Sequence, residues 1–413
     1  MDIVIAGAGI GGLTAALFLH AQGHRVRLFD AVSELKEHGV GINIQPHAVR
    51  ELAKIALDET IARAGNSCAE WGMFNKFGQT IWREPRGLAA GHAWPQVSIH
   101  RGRLQGILLA AVKTRIGADA VACGHRLIGF DERAGRISAK FATRSRSAPA
   151  TEIAGDVLIG ADGIHSAVRA ILYPREGGPV YGGAILWRGV TRTRPFFAGG
   201  TMIFAGHPDQ KFISYPITPP DADGVAVMNW IAQVSAPEML HTEDWNRTGR
   251  LDDFLPLYEE WRFSWLDVPA TIRDADAVWE FPMVDRDPLP RWSFGRVTLL
   301  GDAAHPMYPV GSNGGSQAIR DGSALADAFA ANADPVAALD AYERERRAVT
   351  GEIVLSNRQL GPEEVLKMAH ERAPGGFQRI EDVIQRHELE AVSRRYSAMT
   401  WATRDAAEPA RSR

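Results

Sequence analysis

Short apolar runs, each closed by glycine and aspartate, recur along this chain. Ile3, Val4, Ile5 and Ala6 form an unbroken apolar stretch, the pattern of a parallel strand covered on both faces, and the glycine turn Gly7 to Gly12 (GAGIGG) follows it. The periodicity then predicts a helix from Ile10 to about Ala21 and a second strand from Arg25 to Phe29, ending at Asp30. Val157, Leu158 and Ile159 repeat the strand signature ahead of a Gly160 to Gly163 turn, and Ser166 to Arg169 read as the start of a helix. Val297, Thr298, Leu299 and Leu300 do so a third time, opening at Gly301-Asp302. Beyond Pro306 and Pro309, the segment Gly311 to Gly315 leads into a helix from about Ser316 to Phe329.

The first of these units has a direct physical reading. Gly7 permits a tight turn, Gly9 lets the backbone approach a pyrophosphate, and Gly12 lets the helix pack closely on the sheet. The helix N-terminus then offers free N–H groups and a favourable dipole to phosphate. Asp30, 18 residues beyond Gly12, suits ribose hydroxyls and repels a 2′-phosphate, which favours the adenosine half of FAD or NAD. Asp162 lies where the chain leaves the carboxyl end of a strand, the usual edge for ligand crevices. Asp302 is placed to hold a sugar-like hydroxyl chain, with Gly301 letting the backbone come close.

Between about Val180 and Trp279 the pattern changes. Ile185 to Val190, Thr201 to Ala205, Phe212 to Ile217 and Val225 to Ile231 are strand-length apolar runs broken by Gly, Pro and Asp. No crossover helices fit between them, so an antiparallel sheet is expected. Trp187, Met202, Phe204, Tyr215 and Trp230 are candidates for an apolar lid over a flat substrate; as aromatic or apolar strand residues they are equally ordinary sheet core. Arg188 could clamp a substrate carboxylate bidentately or make an outward salt bridge. Strand alternation lets only one of Trp187 and Arg188 face a pocket. Pro335 to Arg347 and Pro362 to Ser397 read as helices, and Asp405 to Arg413 as a polar, mobile tail.

Composition narrows the class. The 413 residues are 45% hydrophobic and 23% charged, with a net charge of −3, so neither nucleic acid nor an anionic membrane surface is an expected partner. Only Cys68 and Cys123 occur, which gives no disulfide framework and no metal-ligand spacing, and suits a reducing, cytoplasmic setting. Ile3 to Leu19 lacks the basic start of a signal peptide and carries four glycines, so it reads as strand, turn and helix.

The order GxGxxG, DGxxSxxR (Asp162 to Arg169), then Gly301-Asp302 followed by prolines and a glycine-rich helix start, resembles the single-component FAD-dependent aromatic hydroxylases of the para-hydroxybenzoate hydroxylase type. Gly39 to Pro46 (GVGINIQP), His100 to Leu104 (HRGRL), Trp187 to Val190 (WRGV) and Pro282 to Pro288 (PMVDRDP) resemble the phenazine-type hydroxylases among them. The resemblance spans residues 1 to 345. It implies that Gly7, Gly9, Gly11 and Gly12 meet the FAD diphosphate, Asp30 the ribose, Asp302 with Gly301 the ribityl chain, and Val40 and Arg101 further parts of FAD. Pro309 would lie beside the flavin ring with Gly314 and Gly315 near it, and Tyr308 beside the substrate. Asp162 would serve FAD, nicotinamide pyrophosphate, or both. Ser312-Asn313-Gly314-Gly315-Ser316 departs from the Gly-Gln-Gly-x-Asn of many relatives. His305 is expected to order its loop.

The implied fold is α/β: a Rossmann-like, glutathione-reductase-type FAD domain interleaved with an antiparallel β-sheet substrate domain, plus C-terminal helices. The FAD domain is expected over 1–70, 96–178 and 280–345, the substrate domain over 71–95 and 179–279, and a helical segment over 346–404 before the tail. The implied activity is an NADH- or NADPH-consuming monooxygenase in which O2 adds to reduced FAD at C4a and the resulting hydroperoxide hydroxylates an aromatic or phenazine-like small molecule, with loss of a carboxyl group in the phenazine branch. A monomer or homodimer is expected. A reductase or dehydrogenase on the same scaffold, or a flavin-binding regulator without turnover, are the other readings; the Trp-x-Trp-x-Ile-Pro motif of flavin halogenases is absent.

Overall fold

The computed structural model describes residues 1–37, 39–143, 149–239 and 247–401. The expected tail, 405–413, lies outside the described residues. The three apolar runs read from the sequence are neighbouring strands of one parallel sheet, in the order Val297–Leu299, Val157–Gly160, Asp2–Ala6, Arg25–Asp30, Val121–Cys123. Their register aligns Ala6 with Gly160 and Gly160 with Leu299. Parallel direction and shared register therefore carry the three glycine-containing turns to the same carboxyl edge, where ligand crevices of such sheets lie.

Helix Ile10–Ala21 packs on helix Gly314–Ala331 at very short range. A Cβ on Gly322 would lie 2.9 Å from the Ala15 nitrogen, and one on Gly11 3.3 Å from Ala318 Cβ. Small residues at these crossings bring the two helices, and so the first and third turns, together. A three-stranded antiparallel layer, His125–Arg133, Arg136–Thr143 and Thr151–Gly155, continues this half.

The second half is a seven-stranded sheet in the order Val278–Asp285, Val180–Thr193, Ala226–Ser235, Gln210–Pro216, Thr201–His207, Glu70–Phe74, Thr80–Pro85. It is antiparallel, as expected, apart from the parallel pair of Thr201–His207 with Glu70–Phe74. Period-two alternation gives it two faces. The outer face, with Trp187, Ile203, Phe212 and Trp230, buries against Phe254, Tyr258 and Val268. The near face, with Trp71, Met202, Phe204 and Tyr215, is backed by Leu366, Leu389 and Val392 of the C-terminal helices. A small sheet of Gly41–Ile44, Gln96–His100 and Asn66–Cys68 lies between the two halves.

The C-terminal region departs from expectation in its breaks. Helix Pro335–Asn357 runs well past Arg347 and starts on an Asp334 cap that accepts from the Ala337 N–H at 3.1 Å. The single run expected from Pro362 to Ser397 is instead two helices, Glu364–Arg372 and Arg386–Trp401. Pro374, Gly375 and Gly376 separate them, as proline and glycine do by lacking an N–H or a conformational restraint. A fully buried ion pair, Lys211 with Glu363, ties the sheet to this region.

Candidate active site

At the first turn the glycines do different work. Gly7 sits at φ +104°, and a Cβ there would collide with the Ala161 carbonyl of the neighbouring turn. Gly12 is held against the Gly7 carbonyl, and Gly11 against Leu300 and Ala318. A Cβ on Gly9 would meet nothing within 4 Å. Packing therefore explains three of these glycines, and open space beside a helix N-terminus without a side-chain cap explains the fourth. Asp30 Oδ2 accepts from the Ala8 N–H at 2.7 Å and Oδ1 from the Val32 N–H at 2.9 Å. Gln105 Nε2 donates to the Ala8 carbonyl at 2.9 Å, which fixes the turn from its other side.

At the second turn Asp162 is turned inward. It accepts from Ser166 Oγ at 2.5 Å, the Ala167 N–H at 2.7 Å and the Val168 N–H at 3.3 Å. Burial raises its pKa, while these donors pull it back down. Both carboxylate oxygens are committed to capping helix Ala167–Leu172. Arg169, buried in the same motif, reaches the third turn by donating to the Ala303 carbonyl at 3.1 Å and the Ala304 carbonyl at 3.0 Å. The second motif thus organises the third.

Around the third turn Gly301 adopts φ +61° and Asp302 is exposed at the crevice edge. His305 and Asp321 lie 2.5 Å apart in full burial; Asp321 also accepts from the Gly301 N–H at 3.0 Å and from Arg346 Nε at 2.8 Å. Burial opposes the Asp321 charge, but His305 and Arg346 outweigh it and hold the carboxyl at about 2. This is the loop-ordering arrangement expected of His305. Pro309 is exposed, while the Tyr308 ring packs against Gly182, where a Cβ would lie 2.6 Å away. Burial pushes the Tyr308 phenol up to about 12. Gly311 and Ser312 take left-handed backbone (φ +66° and +58°). A Cβ on Gly315 would lie 2.7 Å from Ile42 Cδ1, whereas one on Gly314 would meet only Met307, 3.9 Å away.

The loop and strand from Gly39 to Gln45 join these parts. Asn43 accepts from Ser98 Oγ at 2.5 Å, and its Nδ2 lies 3.6 Å from Met202 Sδ and 3.4 Å from Ser312 Oγ. Gln45 bonds Ser316 and the Gly311 carbonyl. The Gly41 N–H donates to Asn229 Oδ1 at 2.7 Å, and Arg188 Nη2 donates to the Gly41 carbonyl at 2.9 Å. The Arg101 N–H takes up the Val40 carbonyl at 2.9 Å, with the Val40 side chain buried and that of Arg101 exposed. Tyr396, from the last helix, accepts from Asn313 Nδ2 at 2.7 Å and packs on Gly311.

The substrate-side candidates divide between the two faces. Arg188, Met202, Phe204 and Tyr215 lie on the near face, toward the Gly39–Gln45 segment and the Pro309 loop. Trp187 and Trp230 do not. Trp187 stacks on Phe254 at 4.7 Å and Trp230 donates to Thr191 Oγ1 at 3.0 Å, both in the outer core. Alternation put the two tryptophans on the other side from Arg188, which answers which of Trp187 and Arg188 faces inward. Burial pushes Tyr215 up to about 12, with the neighbouring Arg188 acting against it. Burial likewise lowers Arg188, and its Nε has no partner among the described residues. Asn43, Gln45, Ser98, Asn229 and Tyr396 are site residues that the sequence did not single out; of these only Asn43 and Gln45 lie inside a family-like motif, while Asn229 and Tyr396 lie inside a strand run and a helix read from the sequence.

The residues present fit FAD: an open Gly9, an uncapped helix start, a ribose-side carboxylate, an exposed Asp302 and an open Gly314 lie along one edge. Among the described residues no group of three or more His, Cys, Asp or Glu could hold a metal. The chain belongs to the FAD binding domain family, whose pattern it matches over residues 1–356. It is 46% identical to phenazine 1,6-dicarboxylic acid hydroxylase PhzS of Lysobacter antibioticus over 86% of this chain and 89% of that protein. It is 31% identical to the aurachin C monooxygenase/isomerase of Stigmatella aurantiaca, over 87% and 89%. The structure of Klebsiella pneumoniae HpxO complexed with FAD and uric acid shares the fold, with a TM-score of 0.76, 23% identity and 96% coverage of each chain. This is an FAD-dependent aromatic monooxygenase that consumes NAD(P)H and O2.

Proposed function

We propose that this enzyme hydroxylates a planar aromatic carboxylic acid of the phenazine type, held between the near face of the seven-stranded sheet and the Pro309–Ser316 loop. One observation carries the reading. Arg188 reaches the near face beside Tyr215, and no carboxylate of the described residues pairs with it. A half-buried guanidinium whose Nε is shut off from solvent and unpaired is costly unless an anion completes it, and a substrate carboxylate accepts from such a fork bidentately.

FAD, reduced by NADH or NADPH, supplies the activation of O2 and the delivery of one oxygen atom to the ring. The chain supplies placement. Gly7, Gly9, Gly11 and Gly12 shape the turn for the diphosphate, and Asp30 retains lone pairs for the ribose after accepting two backbone N–H groups. Gly301 and Asp302 serve the ribityl chain, Val40 and Arg101 flank the cofactor, and Pro309, Gly314 and Gly315 border the flavin ring. Asp162 acts through the loop it caps. Met202, Phe204 and Tyr215 cover the ring and exclude water, which would otherwise divert oxygen to peroxide, and Tyr308 positions substrate from the flavin side. Where oxygen enters at the carboxyl-bearing carbon, carbon dioxide leaves.

The two free cysteines support a cytoplasmic setting. Among the described residues no helix is long and apolar enough to cross a membrane. The enzyme acts as a monomer or homodimer, with 1–70, 96–178 and 280–345 as its FAD-binding unit and 71–95 with 179–279 as its substrate unit, except that strand Val278–Asp285 pairs with Val180–Thr193 and so belongs whole to the substrate sheet. The test is NADH and NADPH oxidation by the purified flavoprotein with phenazine-1-carboxylate, salicylate and hydroxybenzoate. Stimulation by the phenazine with hydroxylated product supports the reading; stimulation yielding peroxide alone, with every aromatic acid, contradicts it.

A further inference from the structure

Gln96 is fully buried, and neither its amide nitrogen nor its amide oxygen has a hydrogen-bonding partner among the described residues. A buried amide unpaired at both ends bears the desolvation cost of each polar atom. An apolar side chain of the same size would avoid that cost. Two further donors nearby share the condition: Trp71 Nε1 and Arg86 Nε are buried and unpaired. The Arg86 guanidinium lies 3.5 Å over the Trp71 ring, and its Nη2 bonds Glu84.

Strand alternation shows where Gln96 points. Val97 and Ile99 enter the FAD-side core, so Gln96 shares the opposite face with Ser98, which bonds Asn43. Its directly opposite partner is Cys68, whose side chain packs in the near-face cluster with Trp71, Met202 and Tyr215. Trp71 is in turn the register partner of Met202, which touches Asn43. The unpaired donors therefore lie along the segment Gly39–Gln45 that Arg188 also meets. Arg188 reaches the Gly41 carbonyl from strand Val180–Thr193, and Gly41 is opposite His100, at the other end of the strand that begins with Gln96. Four residues of strand amount to about 13 Å, the reach of fused aromatic rings and more than a single ring spans.

We infer that Gln96, with Trp71 and Arg86, forms a second polar subsite that receives a second carboxyl group, at the far end of a fused-ring substrate whose first carboxylate is held by Arg188. The three N–H donors suit carboxylate oxygens, and Gln96 Oε1 accepts the O–H of the acid form. The subsite rests on the reading of Arg188 given above. It also explains why an unfavourable buried amide is retained, since local violations of good packing chemistry concentrate at functional positions.

The test is equilibrium titration of the FAD-loaded enzyme, read by flavin absorbance, with phenazine-1-carboxylate and phenazine-1,6-dicarboxylate. Wild type should bind the dicarboxylate about tenfold more tightly, equivalent to about 1.4 kcal/mol. Gln96→Met should abolish that preference, leave the monocarboxylate affinity unchanged, and raise the Tm of the ligand-free protein. Trp71→Phe should reduce the preference without changing FAD content. Equal binding of both compounds by wild type, or equal weakening of both by Gln96→Met, overturns the second subsite alone. Failure of wild type to bind either compound overturns the reading of Arg188 and the subsite with it.

Discussion

Replacing Arg188 by methionine keeps the length of the side chain and removes the charge that the near face holds without an acidic partner. Its Nη2 donates one hydrogen to the Gly41 carbonyl, and the unpaired Nε lies on the Nε–Nη2 edge of the guanidinium, the edge a carboxylate takes. Hydrogen bonds to a charged group contribute about 1.5–3 kcal/mol net, so loss of this pair should weaken an aromatic carboxylate by about 10- to 150-fold. Arg188→Lys keeps the charge without the planar fork and should fall between wild type and methionine. The assay is the same flavin-absorbance titration, run with phenazine-1-carboxylate and with phenazine itself, at matched FAD content. The carboxylate should lose affinity and the parent ring should not. Equal loss for both ligands would refute the anchoring role, because it would report collapse of the Arg188–Tyr215–Gly41 contact and not a missing charge.

Three further outcomes follow from the geometry. Gly9→Ala should leave the Tm of the cofactor-free protein nearly unchanged while weakening FAD, because its Cβ meets no protein atom, whereas Gly12→Ala should fail to fold because its Cβ meets the Gly7 carbonyl; FAD content and circular dichroism separate the two. Asp321 is held at about 2, below its usual 3.8, so its contribution of roughly 2 kcal/mol is complete above about pH 4 and is lost as pH falls toward 2; Asp321→Asn should flatten that part of the stability profile in denaturant unfolding. Lys211→Met should cost about 3–5 kcal/mol by leaving Glu363 buried and unpaired, and adding Glu363→Leu should restore most of it.

Much of the cofactor side was legible because its information is local. The apolar runs at Ile3, Val157 and Val297 each ended in a glycine turn, and three adjacent parallel strands with aligned ends are the arrangement that makes such turns converge. The substrate side was less legible. Period two predicted the sheet and required Trp187 and Arg188 to oppose each other, yet the choice of face depended on Phe254 and Gly41, residues distant in sequence. Asn229 lies in an expected strand and Tyr396 in an expected helix, but nothing local marks either as a site residue; their roles come from long-range contacts with Gly41 and Asn313. Gln96 was invisible for the opposite reason, since an unpaired buried amide is defined by what its neighbours fail to provide. The break at Pro374 to Gly376 had a local signal in residues that interrupt helices.

The proposed reaction is oxygen transfer to an aromatic carboxylic acid at the near face. Its most direct measurement is mass spectrometry of the product formed from phenazine-1-carboxylate and NAD(P)H under isotopically labelled O2. The expected product is a hydroxylated phenazine carrying one labelled oxygen atom, formed in step with NAD(P)H consumed. Unlabelled product, or NAD(P)H oxidation that returns the ring unchanged with all oxygen recovered as peroxide, would contradict it.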